Sequence, residues 1–349
     1  MKFSACPQSE SNMKIAHAFL ASLLLSSTVQ AQDFYKGKVI SIITSTGEGG
    51  SYDGAARTLA RHMPRYIPGA PTIVVKNMPG GGHTLATNFI YVTAPKDGTT
   101  IGTVSNSMPM HQLVDGRGVR FDVAKFNWIG SVGLSNLTVT YWHKTGAKTL
   151  DDAFNREIIM GATGTGSGTF LYPNALNKVL GTKFKLVTGY RSSTEVDLAM
   201  ERGEVEGRGG ASFSTVYQEH ADWLKEGKLI IAAQIGHERD PMMKDVPLVS
   251  EFAKSDEARQ ILHFLSSPMG VGRPYIAPPG VPADRVELLR RAFDATMADK
   301  EFMDEADKQS LDIRPMKGDV LDRLIQETVK TPPDILAKVR SAIEINESK

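Results

Sequence analysis

The chain of 349 residues has one cysteine, Cys6. A single cysteine cannot form an internal disulfide, and it excludes the thiolate metal sites that need several cysteines. Cys6 precedes Met13, which we interpret as the natural start because Met13 and Lys14 open a charged segment ahead of an apolar run; Met1 is the alternative. A lipid anchor on Cys6 is disfavoured, because no apolar run precedes it.

The chain also lacks an excess of either charge. Lys and Arg number 40 and Asp and Glu number 39, which gives a formal net charge of +1, and no long basic run is present. Because phosphate neutralisation needs clustered basic residues, this balance excludes nucleic acid as the main partner.

Long apolar runs are scarce as well. The single one, "IAHAFLASLLL" at residues 15–25, is shorter than the roughly 20 residues of a membrane-spanning helix. It follows Lys14 and ends in the small-x-small sequence at residues 29–31, which is typical of a signal peptide. We therefore expect residues 1–31 to be removed and the mature protein to be exported to the periplasm.

What the mature chain does have is an alternation of β-rich runs and helical patterns. "KVISIIT", "TIVVKN" and "TTIGTVS" form a first set, and "EIIMGA", "KFKLVTG", "EVEGRGG" and "KLIIAAQIG" form a second. This alternation predicts an α/β fold built from parallel β-α-β units. Together with the length and 41% hydrophobic residues, it predicts two domains.

The last hundred residues are punctuated by proline and then helical. A helical segment without its own sheet most simply returns to cover the first domain. We therefore expect a discontinuous first domain made of residues 32–134 and 264–349, and a second domain made of residues 135–263.

Two loops rich in Gly, Ser and Thr follow the first strand of each set. Such a loop joins a strand to a helix, where free backbone N–H groups and the helix dipole favour an anion. The candidate residues of the first loop are Thr44, Ser45, Thr46, Gly49, Gly50, Ser51 and Asp53; those of the second are Thr163, Thr165, Gly166, Ser167 and Thr169. The alternative is that each loop is a glycine turn without a ligand.

Other site classes fail on spacing. Neither loop completes a phosphate-binding G-x-x-x-x-G-K-[ST] or G-x-G-x-x-G motif, and neither satisfies the G-x-S-x-G of hydrolases. The histidines form no H-x-x-x-H or H-E-x-x-H pair, so we expect no metal, no cofactor and no catalytic residue. Arg191, in "GYRSS", either pairs with a ligand carboxylate or is a solvated surface arginine.

Six segments in order resemble the periplasmic substrate-binding receptors of tripartite tricarboxylate transporters, often called the Bug family. They are "GGSYDGAARTLARHM", "IVVKNMPGGGHTLATNFIYVTAPKDGTTIGTVS", "GATGTGSGT", "GYRSSTEVDLAMERGEVEG", "DVPLVSEF" and "IAPPGVPADRVELLRRAF". The resemblance implies a two-lobe periplasmic-binding-protein type II fold, the Venus flytrap, which closes on a small carboxylated solute.

Carried over by position, the resemblance implies that the two loops pinch one carboxylate. It adds a flanking wall at residues 77–82 and 105–107, in which we expect Asn77, Gly81, Ser105 and Asn106 to contact the ligand. Glu48 departs from the family pattern: it faces solvent, binds a cationic end of the ligand, or means that the acid enters elsewhere.

The function implied is that of a monomeric receptor, not an enzyme, which delivers the solute to the membrane components of a tripartite tricarboxylate-type transporter. A periplasmic sensor subunit for a carboxylate and an exported enzyme acting on a carboxylic acid are the alternatives. The identity of the solute, and the choice between transport and signalling, stay open at this point, because backbone donors accept any carboxylate.

Overall fold

The computed structural model of the chain describes residues 34–48, 51–163, 167–190, 193–309 and 311–344. The predicted signal peptide, residues 1–31, lies outside these ranges. Within them, no helix combines the length and the apolar composition that crossing a membrane requires.

The described residues form strands and helices that alternate along most of the chain. The strands are β1 (Val39–Thr44), β2 (Thr72–Asn77), β3 (Thr100–Thr103), β4 (Asn127–Ser131), β5 (Leu137–Trp142), β6 (Ile158–Ala162), β7 (Phe184–Thr188), β8 (Gly207–Ser212), β9 (Leu229–Ile235), β10 (Pro274–Ala277) and β11 (Met316–Lys317). The helices are α1 (Ser51–His62), α2 (Thr84–Asn88), α3 (Met108–Val114), α4 (Asp152–Asn155), α5 (Gly168–Leu180), α6 (Ser193–Arg202), α7 (Phe213–Lys225), α8 (Asp256–Val271), α9 (Ala283–Met297), α10 (Lys300–Lys308), α11 (Gly318–Thr328) and α12 (Pro333–Ile343).

Six strands form the sheet of what we call the first lobe, in the order β11-β4-β10-β3-β1-β2. Strand β1 pairs in parallel with β2 and with β3. Its β-branched residues suit the pleated backbone, and Ile42 and Ile43 are both buried because helices cover both faces of the sheet. Trp128 of β4 is buried in the same lobe.

Strand β10 lies in the middle of this sheet, antiparallel to β3 and to β4. The sequence predicts that the last hundred residues are mainly helical and have no sheet of their own, and the structure adds that they contribute β10 to the first-lobe sheet. The strand is only four residues long, and Pro274 and Pro278 bound it. Because proline has no backbone N–H to donate within a sheet, the sequence of this segment indicates a turn rather than a strand.

Five strands form the sheet of the second lobe, in the order β7-β6-β8-β5-β9. Strand β6 pairs in parallel with β7 and β8, whereas β5 is antiparallel to β8 and β9. A core that includes Val139, Met160 and Leu176 packs between this sheet and its helices. The predicted α/β class is confirmed.

The chain crosses between the two sheets at residues 132–136 and again at residues 271–273. These segments bond each other: the N–H of Val132 donates to the carbonyl of Arg273 at 3.1 Å, and the N–H of Arg273 donates to the carbonyl of Gly133 at 3.0 Å. The N–H of Arg314 donates to the carbonyl of Val132 at 3.1 Å. We call this ladder of hydrogen bonds between the crossing segments the hinge.

Two helices contact both lobes. Helix α8 leads into the second crossing, and the predicted domain boundary at residues 263–264 falls inside it. Helix α12 packs on α3, α5 and α8 through a cluster that includes Val114, Ala175 and Val339. The division into residues 32–134 with 264–349 and residues 135–263 therefore stays a prediction.

A groove of about 400 Å³ lies beside the hinge and includes Asn136, His237 and Arg314 in its lining. Arg314 forms ion pairs with Asp240 on the second-lobe side and with Asp312 at 2.7 Å. His237 Nδ1 lies 2.9 Å from Nε2 of the exposed His263. Burial, together with the charge of His263, lowers the pKa of His237 to about 4.

A buried ion pair holds α6 against β8 in the second lobe. Arg208 Nε lies 3.0 Å from Asp197 Oδ1, and His220 Nε2 lies 2.9 Å from Asp197 Oδ2. The guanidinium of Arg208 is buried and makes no well-aligned hydrogen bond with the described residues, so the carboxylate of Asp197 balances its charge. His220 stacks on Trp223, which meets Trp142 edge-on at 4.9 Å.

We expect Asp197→Asn to lower the free energy of unfolding by about 3–5 kcal/mol, because it leaves the buried charge of Arg208 uncompensated. The double variant Asp197→Leu/Arg208→Met should recover most of this loss, since it removes both charges. Urea denaturation followed by circular dichroism measures both. Asp304→Asn, at the exposed pair with Lys300, is the control and should change little. A double variant no more stable than Asp197→Asn would contradict the explanation.

The low pKa of His237 predicts acid sensitivity. In the unfolded chain His237 binds a proton below pH about 6.5, whereas in the folded protein it does so only near pH 4. Because the unfolded state binds more protons between these pH values, the free energy of unfolding falls as the pH drops from 6.5 towards 4. The loss should be on the order of 2 kcal/mol after solvent screening. His237→Gln should flatten the decline in the thermal midpoint between pH 6.5 and 4, whereas His143→Gln, at an exposed site, should not. If the thermal midpoint fell equally steeply with pH in His237→Gln and in the wild type, His237 would not be the cause of the acid sensitivity.

Candidate functional site

A cleft between the lobes contains a cavity of about 290 Å³. Both lobes and the hinge contribute to its lining, which includes Tyr52, Asn106, Ser135, Ser212, Ser214 and Arg273. The carboxyl ends of β3, β4 and β8 lie at this cleft, where ligands of parallel α/β sheets bind. Larger cavities of about 640 and 710 Å³ lie against α8 and α11 and against α2, away from these strand ends. The interlobe cleft is therefore the candidate site.

The first loop begins with hydroxyl groups that bond within the first lobe. Thr44 is buried and its Oγ1 lies 3.1 Å from Thr46 Oγ1. The N–H of Ser45 donates to the carbonyl of Thr103 at 3.1 Å, and its hydroxyl lies 3.2 Å from His83 Nδ1. Gly49 and Gly50 lie outside the described residues, and Ser51 begins α1.

Asp53 and Asn77 brace this loop. Asp53 is buried and accepts from Asn77 Nδ2 at 2.8 Å and from Arg57 Nε at 3.0 Å. Asn77 Nδ2 also donates to the carbonyl of Thr46 at 3.0 Å, and its Oδ1 accepts from Arg57 at 3.0 Å. Both predicted ligand residues therefore hold the loop in shape. The hydrogen bond to Asp53 and, less strongly, the charge of the exposed Glu48 raise the pKa of Arg57.

The wall at residues 105–107 reaches the cleft through Asn106. Its backbone N–H donates to the hydroxyl of Tyr52 at 3.2 Å, and its Nδ2 donates to the carbonyl of Pro268 at 2.8 Å. The Tyr52 hydroxyl in turn donates to the carbonyl of Gly272 at 3.3 Å, and burial raises its pKa. Ser105 Oγ lies 2.8 Å from Ser107 Oγ.

The described part of the second loop converges on one hydroxyl. Thr169 Oγ1 accepts from the N–H of Thr163 at 3.1 Å and lies 2.7 Å from Ser167 Oγ. Thr169 is buried, whereas Ser167 is half-buried and precedes the first residue of α5. Thr169 therefore shapes the loop, and Ser167 is the more accessible donor. Thr165, Gly166 and Arg191 lie outside the described residues.

Gly81 lies elsewhere. It is exposed and lines the cavity of about 710 Å³ together with Met78 and Thr84. Its positive φ of 56° belongs to a tight turn, residues 81–83, that precedes α2. Of the described residues that the sequence predicted for the site, Asn106 lines the interlobe cavity; Gly81 and the described candidate residues of the two loops are not part of its lining.

Sequence reasoning missed a serine cluster and an arginine. Ser212 Oγ donates to Ser135 Oγ at 2.8 Å, and Ser135 Oγ also accepts from the N–H of Ser214 at 3.1 Å. Ser212 ends β8 and α7 follows directly, so its place at a strand-to-helix turn was a usable signal. The other missed residue, Arg273, carried no such signal, because it follows α8 rather than a strand.

Two clusters among the described residues offer three metal-ligand atoms each: His62 with Asp299 and Glu301, and Asp197 with Glu219 and His220. In both, an arginine already pairs with a carboxylate: Arg65 lies 3.0 Å from Asp299, and Arg208 lies 3.0 Å from Asp197. These clusters are therefore ion-pair networks, because the arginine charge opposes a bound cation.

The family model of the tripartite tricarboxylate transporter family receptor, TctC, matches residues 55–341. The chain belongs to this receptor family. Its members bind solutes and are not enzymes, so the predicted family and the absence of an enzyme activity are both confirmed.

Solved structures of TctC-type receptors share the fold. A TctC solute-binding protein from Polaromonas has a TM-score of 0.69 at 18% identity, over 88% of this chain and 99% of that one. MatC from Rhodopseudomonas palustris, with bound malate, has a TM-score of 0.55 at 18% identity, over 88% of this chain and 99% of its own. The predicted two-lobe periplasmic-binding-protein fold is confirmed.

A curated relative is the protein in the TAR-I ttuE-ttuC′ intergenic region of Agrobacterium vitis. It is 23% identical over 272 residues, which are 76% of this chain and 76% of that protein. A second structure, an R. palustris protein with adipate, has a TM-score of 0.57 at 16% identity, over 88% of this chain and 97% of that one.

We expect Asn77→Ala to destabilise this TctC-type receptor by about 1–3 kcal/mol, because it removes three hydrogen bonds and leaves the buried Asp53 with fewer partners. Thermal unfolding of the ligand-free protein measures the effect. Asn155→Ala is the control, since its exposed amide bonds one carbonyl, that of Asp151. A midpoint for Asn77→Ala equal to that of the control would show that the brace contributes nothing.

Proposed function

We propose that the protein is a periplasmic receptor that captures a small carboxylate between its lobes and delivers it to the membrane components of a tripartite tricarboxylate-type transporter. The observation that carries the proposal is a polar interlobe cleft to which hydroxyl groups of both lobes contribute, in a chain of this receptor family. Two structural relatives hold malate and adipate, which supports a carboxylate as the ligand.

Tyr52, which follows Ser51 of the first loop, lines the interlobe cavity, and the hydroxyl and N–H groups of the two loops would supply donors as the lobes close on the ligand. A carboxylate accepts hydrogen bonds from hydroxyl and backbone N–H groups, and the helices α1 and α5 begin next to these loops, where the peptide dipoles favour negative charge. A ligand that contacts both lobes stabilises the closed state more than the open state, and this difference drives closure.

Export and partnership rest on the sequence. The apolar run at residues 15–25 and the small-x-small site at residue 31 predict release into the periplasm. The family name ties such receptors to a transporter, and a monomer suffices because the cleft is formed within one chain. A sensor subunit would use the same cleft but would stimulate a membrane kinase rather than solute uptake.

The test is calorimetric titration of the mature chain with succinate, malate, adipate, citrate, butyrate and hexanoate. We expect at least one acid to bind, and Thr46→Ala and Ser167→Ala each to weaken it by about 10- to 100-fold, since hydrogen bonds to charged groups contribute about 1.5–3 kcal/mol. Ser341→Ala, at an exposed serine on α12, is the control.

The possible outcomes separate the parts of the proposal. Binding of none of the acids would overturn the carboxylate receptor. If only one of the two loop variants weakened binding, the protein would still be a carboxylate receptor, but the proposal that both loops bind the same carboxylate would be wrong. Uptake of the bound acid by cells that carry the transporter, lost when the receptor is deleted, would distinguish transport from sensing.

A further inference from the structure

Arg273 lies in the second crossing segment, between α8 and β10. Its backbone belongs to the hinge ladder with Val132 and Gly133, and its side chain lines the interlobe cavity. Gly133 makes room for the guanidinium: a Cβ on this glycine would lie 3.1 Å from Arg273 Nη2. The hinge thus places a fixed positive charge at the base of the cleft.

This charge has little to balance it. Arg273 Nη2 donates to the carbonyl of Asp312 at 3.3 Å, and its buried Nε has no hydrogen-bond partner in the part of the chain that the structure describes. Among the described residues, no carboxylate forms an ion pair with Arg273. Asp312 lines the same cavity, but its carboxylate is bound by Arg314 Nε at 3.1 Å and Nη2 at 2.7 Å.

A partly buried guanidinium with an unpartnered donor is costly unless an anion meets it. The hydroxyl groups of Ser212 and Ser214 line the same cavity on the second-lobe side. Each bonds a neighbouring serine without ligand and can rotate to donate to an incoming anion. Together they match a carboxylate, which accepts two hydrogen bonds from an arginine fork and further bonds from hydroxyl donors.

We propose that Arg273 and these hydroxyls form a second anion subsite at the hinge, which takes the second carboxylate of a small dicarboxylate. The inference rests on the proposed function, in which the two loops take the first carboxylate. The cavity of about 290 Å³ that Arg273 lines has room for roughly ten water-sized groups, so the part of the ligand that it takes is small. Arg273 then makes the receptor prefer dicarboxylates to monocarboxylates of equal length.

The test compares succinate with butyrate and adipate with hexanoate, pairs that differ by one carboxylate. Calorimetric titration is run on the wild type, Arg273→Gln, Arg273→Lys and Arg120→Gln. Arg120 is exposed and lines the separate cavity against α2, so Arg120→Gln removes the same charge away from the cleft. Thermal unfolding without ligand checks that each variant folds.

We expect the wild type to bind the dicarboxylates more tightly than the matching monocarboxylates. Arg273→Gln should weaken dicarboxylate binding by about 10- to 100-fold, the loss expected for hydrogen bonds to a charged group, and should change monocarboxylate binding by less than about threefold. Arg273→Lys should fall between, since it keeps the charge and loses the fork. Arg120→Gln should match the wild type.

Four results would overturn the subsite. Equal weakening of both members of a pair would assign Arg273 to the hinge alone. Unchanged dicarboxylate binding in Arg273→Gln would show that the solute does not reach it. If the wild type bound monocarboxylates as tightly as dicarboxylates, the subsite proposal would be wrong and the receptor proposal would be unaffected. If the wild type bound no acid, both proposals would be wrong.

Discussion

The backbone bonds between residues 132–133 and Arg273 are the constraint on which the rest of the structure depends. These bonds hold the two crossing segments side by side. The segment between the carboxyl end of β4 and the start of β5 therefore lies against the segment that enters β10. The two sheets therefore face each other across one cleft.

Hydrogen bonds within the first lobe fix the polar groups of its side of the cleft in the ligand-free protein. Asn77 fixes both Asp53 and the carbonyl of Thr46, and the Tyr52 hydroxyl fixes Asn106 to the hinge through the carbonyl of Gly272. Because these bonds form when the protein folds, binding does not have to order the same groups, and less of the interaction energy is lost to entropy. Polar residues near a ligand site can thus have two roles: some donate hydrogen bonds to the ligand, and others hold the loops around it in place.

The sequence allowed the α/β class, the receptor family and the two glycine loops to be predicted, because strand and helix periodicity and the turn residues are local signals. It did not allow β10 to be predicted, since a strand of four residues that begins with Pro274 and is followed by Pro278 has no such signal. Asp53 and Thr169 stay predicted ligand residues, and the structure adds that both are buried and hold their loops in shape through hydrogen bonds. Arg273 was missed because its role depends on a crossing between lobes, which is a long-range contact.

The positions of the three tryptophans have a practical consequence for fluorescence. Trp128 is buried in the first lobe, and Trp142 and Trp223 pack against each other in the second. None of them lines the interlobe cavity, so a bound solute would not touch an indole ring. Intrinsic emission is therefore a poor reporter of direct contact with the solute, and a fluorescence assay of occupancy needs an introduced label at a position other than Tyr52, whose hydroxyl holds Asn106 to the hinge.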